Sequence, residues 1–489
     1  MRGMGQKRSS GLSLQKRQLR SCHRRWYRRS FAVLRRSSLA ALAQRLRQAQ
    51  DDSSHTMTKT FFIETWGCQM NDLDSQRLSG SLKLRGYRRV ESEGEADLIL
   101  LNTCSIRDKS EQKVFSHLGR LRELKSEREE LKIGVCGCVA QQEGEAILHR
   151  APWVDFVMGP GNVGHLDQIL SGGRKVAIDF PDDRNYDYLT VDRPSVTKAQ
   201  VTIIEGCNKN CTFCIVPTTR GREVSRAFDD VLREVRAAVA SGRVEIELLG
   251  QTVNAYRCPV TGRGFGALLA AVAEVGNVAR LRFMTSHPAE VDDSMIAAMR
   301  DHENISRYLH LPVQSGSSKI LRRMKRLYTR EHYLETIGRI RRAIPEIHFS
   351  TDVIVGFPGE TEDDFEQTLS LIAEVRYGSM FAFKYSPRPG TPALKIGAPV
   401  DDGIASERLN RVFDLHERIK REHLESYRGR ILPVLVEGPS RHDATLLTGR
   451  TDDNVVVNFS ADSATRPGSM LGVRIEQAQH HTLRGEAVA

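Results

Sequence analysis

The sequence lacks two features that would each define a class of protein. It has no apolar run of eighteen or more residues, so no membrane-spanning helix and no membrane partner are predicted. Its nine cysteines are too few for a disulfide scaffold in a chain of 489 residues. Their grouping instead predicts metal binding in a reducing compartment.

The first 50 residues contain no acidic side chain. Residues 1–56 carry 14 Lys and Arg against two Asp, whereas the rest of the chain, with 58 basic and 59 acidic residues, is nearly neutral. RNA contacts in that remainder must therefore come from local patches. We expect residues 1–58 to be a disordered basic extension. It is either a mitochondrial transit peptide or, as we favour, sequence upstream of a natural start at Met57, which predicts a cytoplasmic protein.

Three cysteines form a compact run, and no fourth ligand stands beside them. Cys207, Cys211 and Cys214 have the spacing C-x-x-x-C-x-x-C, and no further Cys or His lies within fifteen residues. A structural zinc site would need a fourth ligand. Three thiolates can hold three irons of a [4Fe-4S] cluster and leave the fourth iron open to a small molecule. The run therefore predicts a reactive iron–sulfur site.

Three more cysteines each follow a predicted strand. Cys68, Cys104 and Cys138 come after the segments 59–65, 96–102 and 131–135, and helical patterns separate these segments. Parallel strands joined by single helices end at one edge of a sheet, so the three thiols should meet there and hold a second cluster. The alternative is three buried cysteines in a hydrophobic core. Cys136 competes with Cys138, which we choose because it lies nearer the helix start.

The middle of the chain predicts a partial TIM-like barrel of about six βα units. The stretch 181–196 is rich in Pro and Asp, which is typical of a linker. It divides an N-terminal α/β domain at 59–180 from a core at 197–427. Catalytic groups in such barrels lie where strands end. The strand ends carry Gly250, Gln251, Ser286, His287, Gln314 and Gly356.

The last segment, 428–489, predicts a small closed β-barrel of the kind that binds nucleic acid. Its four candidate strands alternate apolar residues between turn signals. Seven arginines balance seven acids, so a barrel without an RNA role is the alternative. The candidate phosphate contacts are Arg428, Arg430, Arg441 and Arg450. The run RRMKR (322–326) is a further basic patch or simply a solvated helix face.

Several motifs together resemble the methylthiotransferase family of radical S-adenosylmethionine enzymes, and within it the branch that modifies tRNA. The resemblance covers residues 59 to about 485 and rests on EGCNKNCTFCIVPTTRGREVSR (205–226), TWGCQMND (65–72), LNTCSIRDKSEQKVFSHLGRL (101–121), GCVAQQEGE (137–145), LLGQTVNAYR (248–257), TSHP (285–288), LHLPVQSGSS (309–318), TDVIVGFPGETEDDF (351–365) and YSPRPGTPA (385–393). It implies an N-terminal methylthiotransferase domain, a radical core and a C-terminal TRAM domain.

The resemblance also implies an activity: radical methylthiolation of carbon 2 of N6-isopentenyladenosine beside the anticodon of tRNA. It implies two [4Fe-4S] clusters, two S-adenosylmethionine molecules and an electron donor of the flavodoxin or ferredoxin type. The Cys207, Cys211 and Cys214 cluster would generate the radical, and the Cys68, Cys104 and Cys138 cluster would hold the sulfur. Phe213 and the strand-end residues named above would bind S-adenosylmethionine.

Two other functions stay open at this point. One is a sister methylthiotransferase that acts on a ribosomal-protein aspartate, although the stretches 216–220 and 314–316 match the tRNA branch better. The other is an RNA-binding protein whose clusters are only structural. Turnover of S-adenosylmethionine separates the second from both enzymes, and a methylthio-adenosine product separates the first from the tRNA enzyme.

Overall fold

The computed structural model describes residues 58–105, 108–181 and 191–488. They form three units in chain order: a parallel sheet with helices, a half-barrel and a small closed barrel. The predicted extension at 1–58 lies outside the described residues apart from its last position, and most of the predicted linker at 181–196 also lies outside them. No described helix is long and apolar enough to cross a bilayer.

The N-terminal unit is one fully parallel sheet of six strands. The strands are β1 (Thr60–Trp66), β2 (Arg88–Arg89), β3 (Leu98–Thr103), β4 (Lys132–Gly137), β5 (Phe156–Met158) and β6 (Val176–Ala177), and the helices are α1 (Gln69–Leu84), α2 (Asp108–Glu127), α3 (Cys138–Glu143), α4 (Glu145–Arg150) and α5 (Leu166–Leu170). Their order in the sheet is β2-β1-β3-β4-β5-β6. Every residue of β3 is buried, as its continuous apolar run predicts.

One helix of this unit differs from the sequence prediction. The residue pattern after β4 predicts a helix from about Gln141, but α3 begins directly at Cys138 and ends before Gly144. Gly144 has a positive φ of 52° and separates α3 from α4. Residues 138–150 therefore form two short helices, and the first of them begins at Cys138.

The central unit is the predicted half-barrel of six βα units. Its strands are β7 (Lys198–Thr202), β10 (Glu245–Leu249), β11 (Arg280–Phe283), β12 (Tyr308–His310), β13 (His348–Val355) and β14 (Ser379–Lys384), with a short ribbon of β8 (Ile204–Glu205) and β9 (Val224–Ser225). Its helices are α6 (Val216–Arg220), α7 (Phe228–Ala240), α8 (Phe265–Ala273), α9 (Asp293–Asp301), α10 (Ser318–Arg323), α11 (Arg330–Ala343), α12 (Glu362–Val375) and α13 (Asp402–Glu425). Two parallel three-stranded sheets, β11-β10-β7 and β12-β13-β14, are joined by a parallel bridge between Leu281 and Ile305.

The C-terminal unit is a closed barrel of five strands, one more than the sequence predicts. The strands are β15 (Ile431–Pro439), β16 (Leu447–Thr451), β17 (Val456–Ser460), β18 (Met470–Ala478) and β19 (Thr482–Val488), arranged β15-β16-β17-β19-β18. The missed strand β19 reads TLRGEAV, in which only Leu483 is a large buried apolar residue. Closure nevertheless needs it, because β19 pairs with both β17 and β18.

Polar contacts hold the closed barrel against the half-barrel. Arg280 donates to the carbonyl of Arg450 at 2.9 Å, and Arg282 donates to the carbonyl of Thr451 at 2.8 Å. At the end of α13, Tyr427 donates to Asp453 at 2.7 Å. The end of β16 and the turn after it are therefore docked on β11 and on the segment that follows α13.

Candidate active site

The parallel sheet brings Cys68, Cys104 and Cys138 to one edge. The last residues of β1, β3 and β4 are in register, with Trp66 beside Thr103 and Thr103 beside Gly137. Cys104 and Cys138 directly follow their strands, and Cys68 follows after one glycine. Neighbouring strands lie about 4.8 Å apart, so the three thiols form one group.

A glycine permits this close approach. Gly67 has a φ of 145°, and a Cβ at this position would lie only 2.4 Å from the Cβ of Cys104. A side chain at position 67 would therefore push the two cysteines apart.

Arg220, from the half-barrel, faces this thiol group. It is buried at the end of α6, with an Nη2 to Asp74 Oδ2 distance of 2.7 Å and an Nη2 to Asn71 Oδ1 distance of 3.4 Å. It also hydrogen-bonds Cys138. A hydrogen bond from Cys104, with the nearby Arg220 charge, lowers the pKa of Cys68 to about 6. Cys68 is thus poised to exist as thiolate, the form that binds iron, whereas burial raises the pKa of Cys138.

Cys136 lies apart from the thiol group. It belongs to a buried hydrophobic cluster that includes Phe61, Leu100 and Phe156. Burial, followed by the charge of Asp74, raises its pKa to about 12. Cys136 is therefore part of the core, whereas Cys138 begins the next helix beside Arg220.

The second group lies on the loop after β8. Cys207 follows Gly206, whose φ is 77°, and a Cβ there would lie 2.1 Å from the carbonyl oxygen of Arg222. The turn therefore requires glycine. The Gly206 N–H donates to Gln251 Oε1 at 2.6 Å, so a residue from the end of β10 holds the start of the loop.

Side chains from other elements contact two of the three loop thiols. Arg326 Nη1 donates to Cys211 Sγ at 3.5 Å, and Cys207 Sγ lies 3.6 Å from Thr252 Oγ1. Burial raises the pKa of the Cys214 thiol to about 12. An iron cluster would supply the positive charge that keeps such a buried thiolate ionised.

One cavity of about 260 Å³ joins the two thiol groups. Cys68 lines it from the N-terminal unit, and all three loop cysteines line it from the half-barrel. Among the predicted cofactor residues, the lining contains Phe213, Gly250, Gln251, Ser286, His287 and Gln314. Five of the six predicted strand-end residues therefore line this cavity together with Phe213.

Two buried polar atoms in this cavity have no hydrogen-bond partner among the described residues: Ser286 Oγ and His287 Nε2. His287 Nδ1 accepts from the Ala289 N–H at 3.2 Å, so its other nitrogen is the donor of the neutral ring. Burial, with the charges of Arg326 and Lys209, lowers the pKa of His287 to about 2 and keeps the ring neutral. Buried polar atoms without partners fit a polar cofactor bound against them.

The remaining predicted site residues lie elsewhere. Gly356 follows β13 with a φ of 73° and does not line the cavity; a Cβ added there would lie 2.8 Å from the Cβ of Ala405 in α13. In the closed barrel, Arg428, Arg430 and Arg441 are exposed. Arg450 is half-buried and pairs with Glu437 at 2.9 Å. The RNA roles of these arginines stay predictions.

Sequence reasoning missed Arg220, Asp74 and Arg326 as site residues. Arg220 belongs to the motif at 205–226, and Arg326 belongs to RRMKR, whose sequence predicts a basic patch or a solvated helix face. Arg326 is 6% exposed and donates to the carbonyl of Pro312 at 2.9 Å as well as to Cys211. The inward direction of Arg326 follows from the left-handed backbone of Lys325, its preceding residue. The sequence alone does not show that backbone conformation.

Family comparisons divide the chain as the fold does. The description "Uncharacterized protein family UPF0004" matches residues 60–159, "Radical SAM superfamily" matches 201–372 and "TRAM domain" matches 425–488. Among solved structures, the radical S-adenosylmethionine methyltransferase TsrM from Kitasatospora setae is similar in fold, with a TM-score of 0.52 at 13% identity over 74% of this chain and 89% of that one. The family match and the two thiol groups therefore define a member of the radical S-adenosylmethionine class, which implies a [4Fe-4S] cluster and S-adenosylmethionine.

Curated relatives narrow this class. Proteins named tRNA-2-methylthio-N(6)-dimethylallyladenosine synthase are 46% identical in Haemophilus influenzae, over 88% of this chain and 93% of the relative, and 43% identical in Clostridium tetani, over 88% and 96%. The relative in Alkalilimnicola ehrlichii is 46% identical over 88% and 98%. This chain belongs to the tRNA-2-methylthio-N(6)-dimethylallyladenosine synthase family.

Proposed function

We propose that this chain attaches a methylthio group to carbon 2 of N6-isopentenyladenosine next to the anticodon of tRNA, with two [4Fe-4S] clusters and two S-adenosylmethionine molecules. The observation that carries the proposal is the shared cavity, which Cys68 lines on one side and Cys207, Cys211 and Cys214 line on the other. A group held at the first site and a radical formed at the second could both reach one substrate atom.

The chemistry comes from the bound groups and the positioning comes from the chain. When bound, the cofactors supply a 5′-deoxyadenosyl radical, which removes the hydrogen from carbon 2, and a methylated sulfur, which replaces it. Cys207, Cys211 and Cys214 would hold the radical-generating cluster, and Cys68, Cys104 and Cys138 the sulfur-carrying one.

Other residues position the cluster loop or would contact the bound groups. Gln251 fixes the start of the cluster loop through its bond to the Gly206 N–H. The donors Ser286 Oγ and His287 Nε2 would bind polar atoms of S-adenosylmethionine. Arg220 carries a buried positive charge beside the first thiol group, where charge on bound sulfur would be stabilised.

The test is nucleoside analysis of tRNA after anaerobic reconstitution and turnover. Isopentenyladenosine-containing tRNA should yield 2-methylthio-isopentenyladenosine, with two S-adenosylmethionine molecules consumed per product. Modification of a ribosomal-protein aspartate instead would reassign the substrate, and no consumption of S-adenosylmethionine under reducing conditions would remove catalysis altogether.

We also propose a cytoplasmic protein that takes electrons from a flavodoxin- or ferredoxin-type donor. The eight cysteines of the described residues are all free thiols, which supports a reducing compartment. Reduction of the clusters by such a donor, followed as formation of 5′-deoxyadenosine, tests the partner. Cell fractionation tests the location, and recovery of the protein in mitochondria would contradict it.

A further inference from the structure

A second cavity opens beside the active site, on the outer side of the cluster loop. It has a volume of about 590 Å³ and is lined by Asn208, Lys209, Asn210, Ser318, Arg322, Lys325, Leu327, Tyr328 and Thr329. We call these residues the entrance groove. Lys209 lines both the groove and the thiol cavity, so the two spaces adjoin.

The groove carries positive charge without acidic side chains in its lining. Arg322 and Lys325 are exposed. Over 58–105, 108–181 and 191–488, neither has a hydrogen bond or ion pair through its side chain. By contrast, in the closed barrel Arg450 is paired with Glu437 and Arg428 with Glu425. Two uncompensated cations beside the catalytic cavity are a binding site for negative charge.

The backbone of this loop is held in a strained form that displays its side chains. Lys325 and Leu327 both have positive φ, 54° and 60°, which is unfavourable for residues other than glycine. Between them Arg326 points inward and donates to Cys211 Sγ and to the Pro312 carbonyl. This inward anchor turns Leu327 outward, where it is 73% exposed.

The resulting surface combines an exposed apolar side chain, two free cations and the amides of Asn208 and Asn210. This combination suits single-stranded RNA, whose unstacked bases bind apolar and amide groups while its phosphates bind Arg and Lys. A single-stranded loop must also present its target base to the adjoining cavity.

We propose that the entrance groove binds the single-stranded RNA segment adjacent to the nucleotide that enters the thiol cavity. This inference rests on the proposed function, because it takes RNA as the substrate. In this arrangement Arg322 and Lys325 contact phosphates, and Leu327 packs against an unstacked base. An acidic electron-donor protein is the competing partner for such a patch, but a globular donor would not need a concave groove that leads into the cavity.

The first experiment measures the affinity of the full-length, cluster-loaded protein for an isopentenyladenosine-containing anticodon stem-loop at several salt concentrations. The variant is Arg322→Gln/Lys325→Gln. Each lost phosphate contact on a single strand flattens the slope of log affinity against log salt by about 0.7, so a decrease of about 1.4 is expected, with weaker binding. The matched control is Arg236→Gln/Arg342→Gln, which removes two exposed positive charges from the outer helices α7 and α11 and should leave the slope unchanged.

The second variant separates base contact from charge. Leu327→Ala should weaken binding while the salt slope stays at the wild-type value, because no charge is lost. Unchanged affinity and slope in the double variant would overturn the inference. So would unchanged RNA binding combined with slower cluster reduction by a flavodoxin, which would assign the groove to the electron donor. The binding assay needs no turnover, so failure of the proposed function is recognised separately, as wild-type protein that forms no methylthio nucleoside.

Discussion

The two cysteine groups, which share one cavity through Cys68 and the three loop cysteines, are built by different kinds of structure. Cys207, Cys211 and Cys214 lie within one loop, and neighbouring elements only hold that loop in place. Cys68, Cys104 and Cys138 come from three strand ends whose register brings them together. A loop site can be recognised from spacing alone, whereas a strand-end site exists only if the whole sheet is correctly formed. The strand-end group of Cys68, Cys104 and Cys138 should therefore be more sensitive to changes in packing than the loop group.

The largest expected effect separates the two groups by function. Replacing Cys207, Cys211 and Cys214 with Ala should abolish 5′-deoxyadenosine formation, because the radical-generating cluster loses its ligands. Replacing Cys68, Cys104 and Cys138 should leave cleavage of S-adenosylmethionine but no methylthiolated product. Product analysis of both triple variants checks this, and cleavage that survives in the first variant would show that the roles are assigned wrongly.

Two single substitutions test whether Cys138 or Cys136 is the third ligand of the strand-end group. Cys138→Ala should lose methylthiolation. Cys136→Ala should keep it, at a stability cost of roughly 1 kcal/mol for the small void left in the core. Iron content and product yield of the two variants are the measurements. An inactive Cys136 variant beside an active Cys138 variant would reverse our choice of ligand.

The contact between Arg220 and Asp74 is where the strand-end group depends on the half-barrel. Arg220→Ala would leave Asp74 buried without its nearest counter-charge, and loss of a buried partner costs about 3–5 kcal/mol. We expect a lower melting temperature, with partial recovery in Arg220→Lys, which keeps the charge and loses the planar fork. Arg300→Ala, which breaks an exposed pair with Asp301, is the control and should melt like the wild type. Equal melting of Arg220→Ala and wild type would contradict this account.

The smallest expected effect is a difference in thiol reactivity in protein freed of metal. Because the pKa of Cys68 is lowered from 9.0 to about 6, its thiolate is present above pH 6 and is lost as the pH falls through that value. Alkylation of Cys68 should therefore rise with a midpoint near pH 6, measured by mass spectrometry of labelled peptides. Cys136, with its pKa raised to about 12, should stay unlabelled in the folded protein. A Cys68 midpoint near 9 would show that Cys104 and Arg220 do not act on it.

Much of the architecture was predictable because its elements are strongly periodic. The apolar runs predict β1, β3 and β4 of the parallel sheet and the six strands of the half-barrel, and each cysteine of the strand-end group follows one of the first three. The other strands of the sheet, β2, β5 and β6, have only two or three residues, too few to show such a run. The strand β19 was missed because its sequence, with Arg484 and Glu486 facing outward, has too few apolar residues to show the alternation. Its pairing partners, not its own composition, make it a strand.

Contacts between distant segments were the part that the sequence could not supply. Nothing in the pattern of RRMKR indicates that Arg326 turns inward to Cys211 while Lys325 turns outward, because that depends on the left-handed backbone on both sides. Gly356, by contrast, is a predicted cofactor residue that does not line the cavity. It stands at a strand end, as the cavity residues do, yet its close neighbour is Ala405 of α13.

Iron content is the most direct test of the central claim that both cysteine groups hold clusters. After anaerobic reconstitution, the wild-type protein should contain about eight irons per chain, and each triple cysteine variant about four, since each group would hold one four-iron cluster. The same samples should show matching amounts of acid-labile sulfide. A wild-type protein with about four irons, whose content is unchanged when Cys68, Cys104 and Cys138 are replaced, would contradict the two-cluster account.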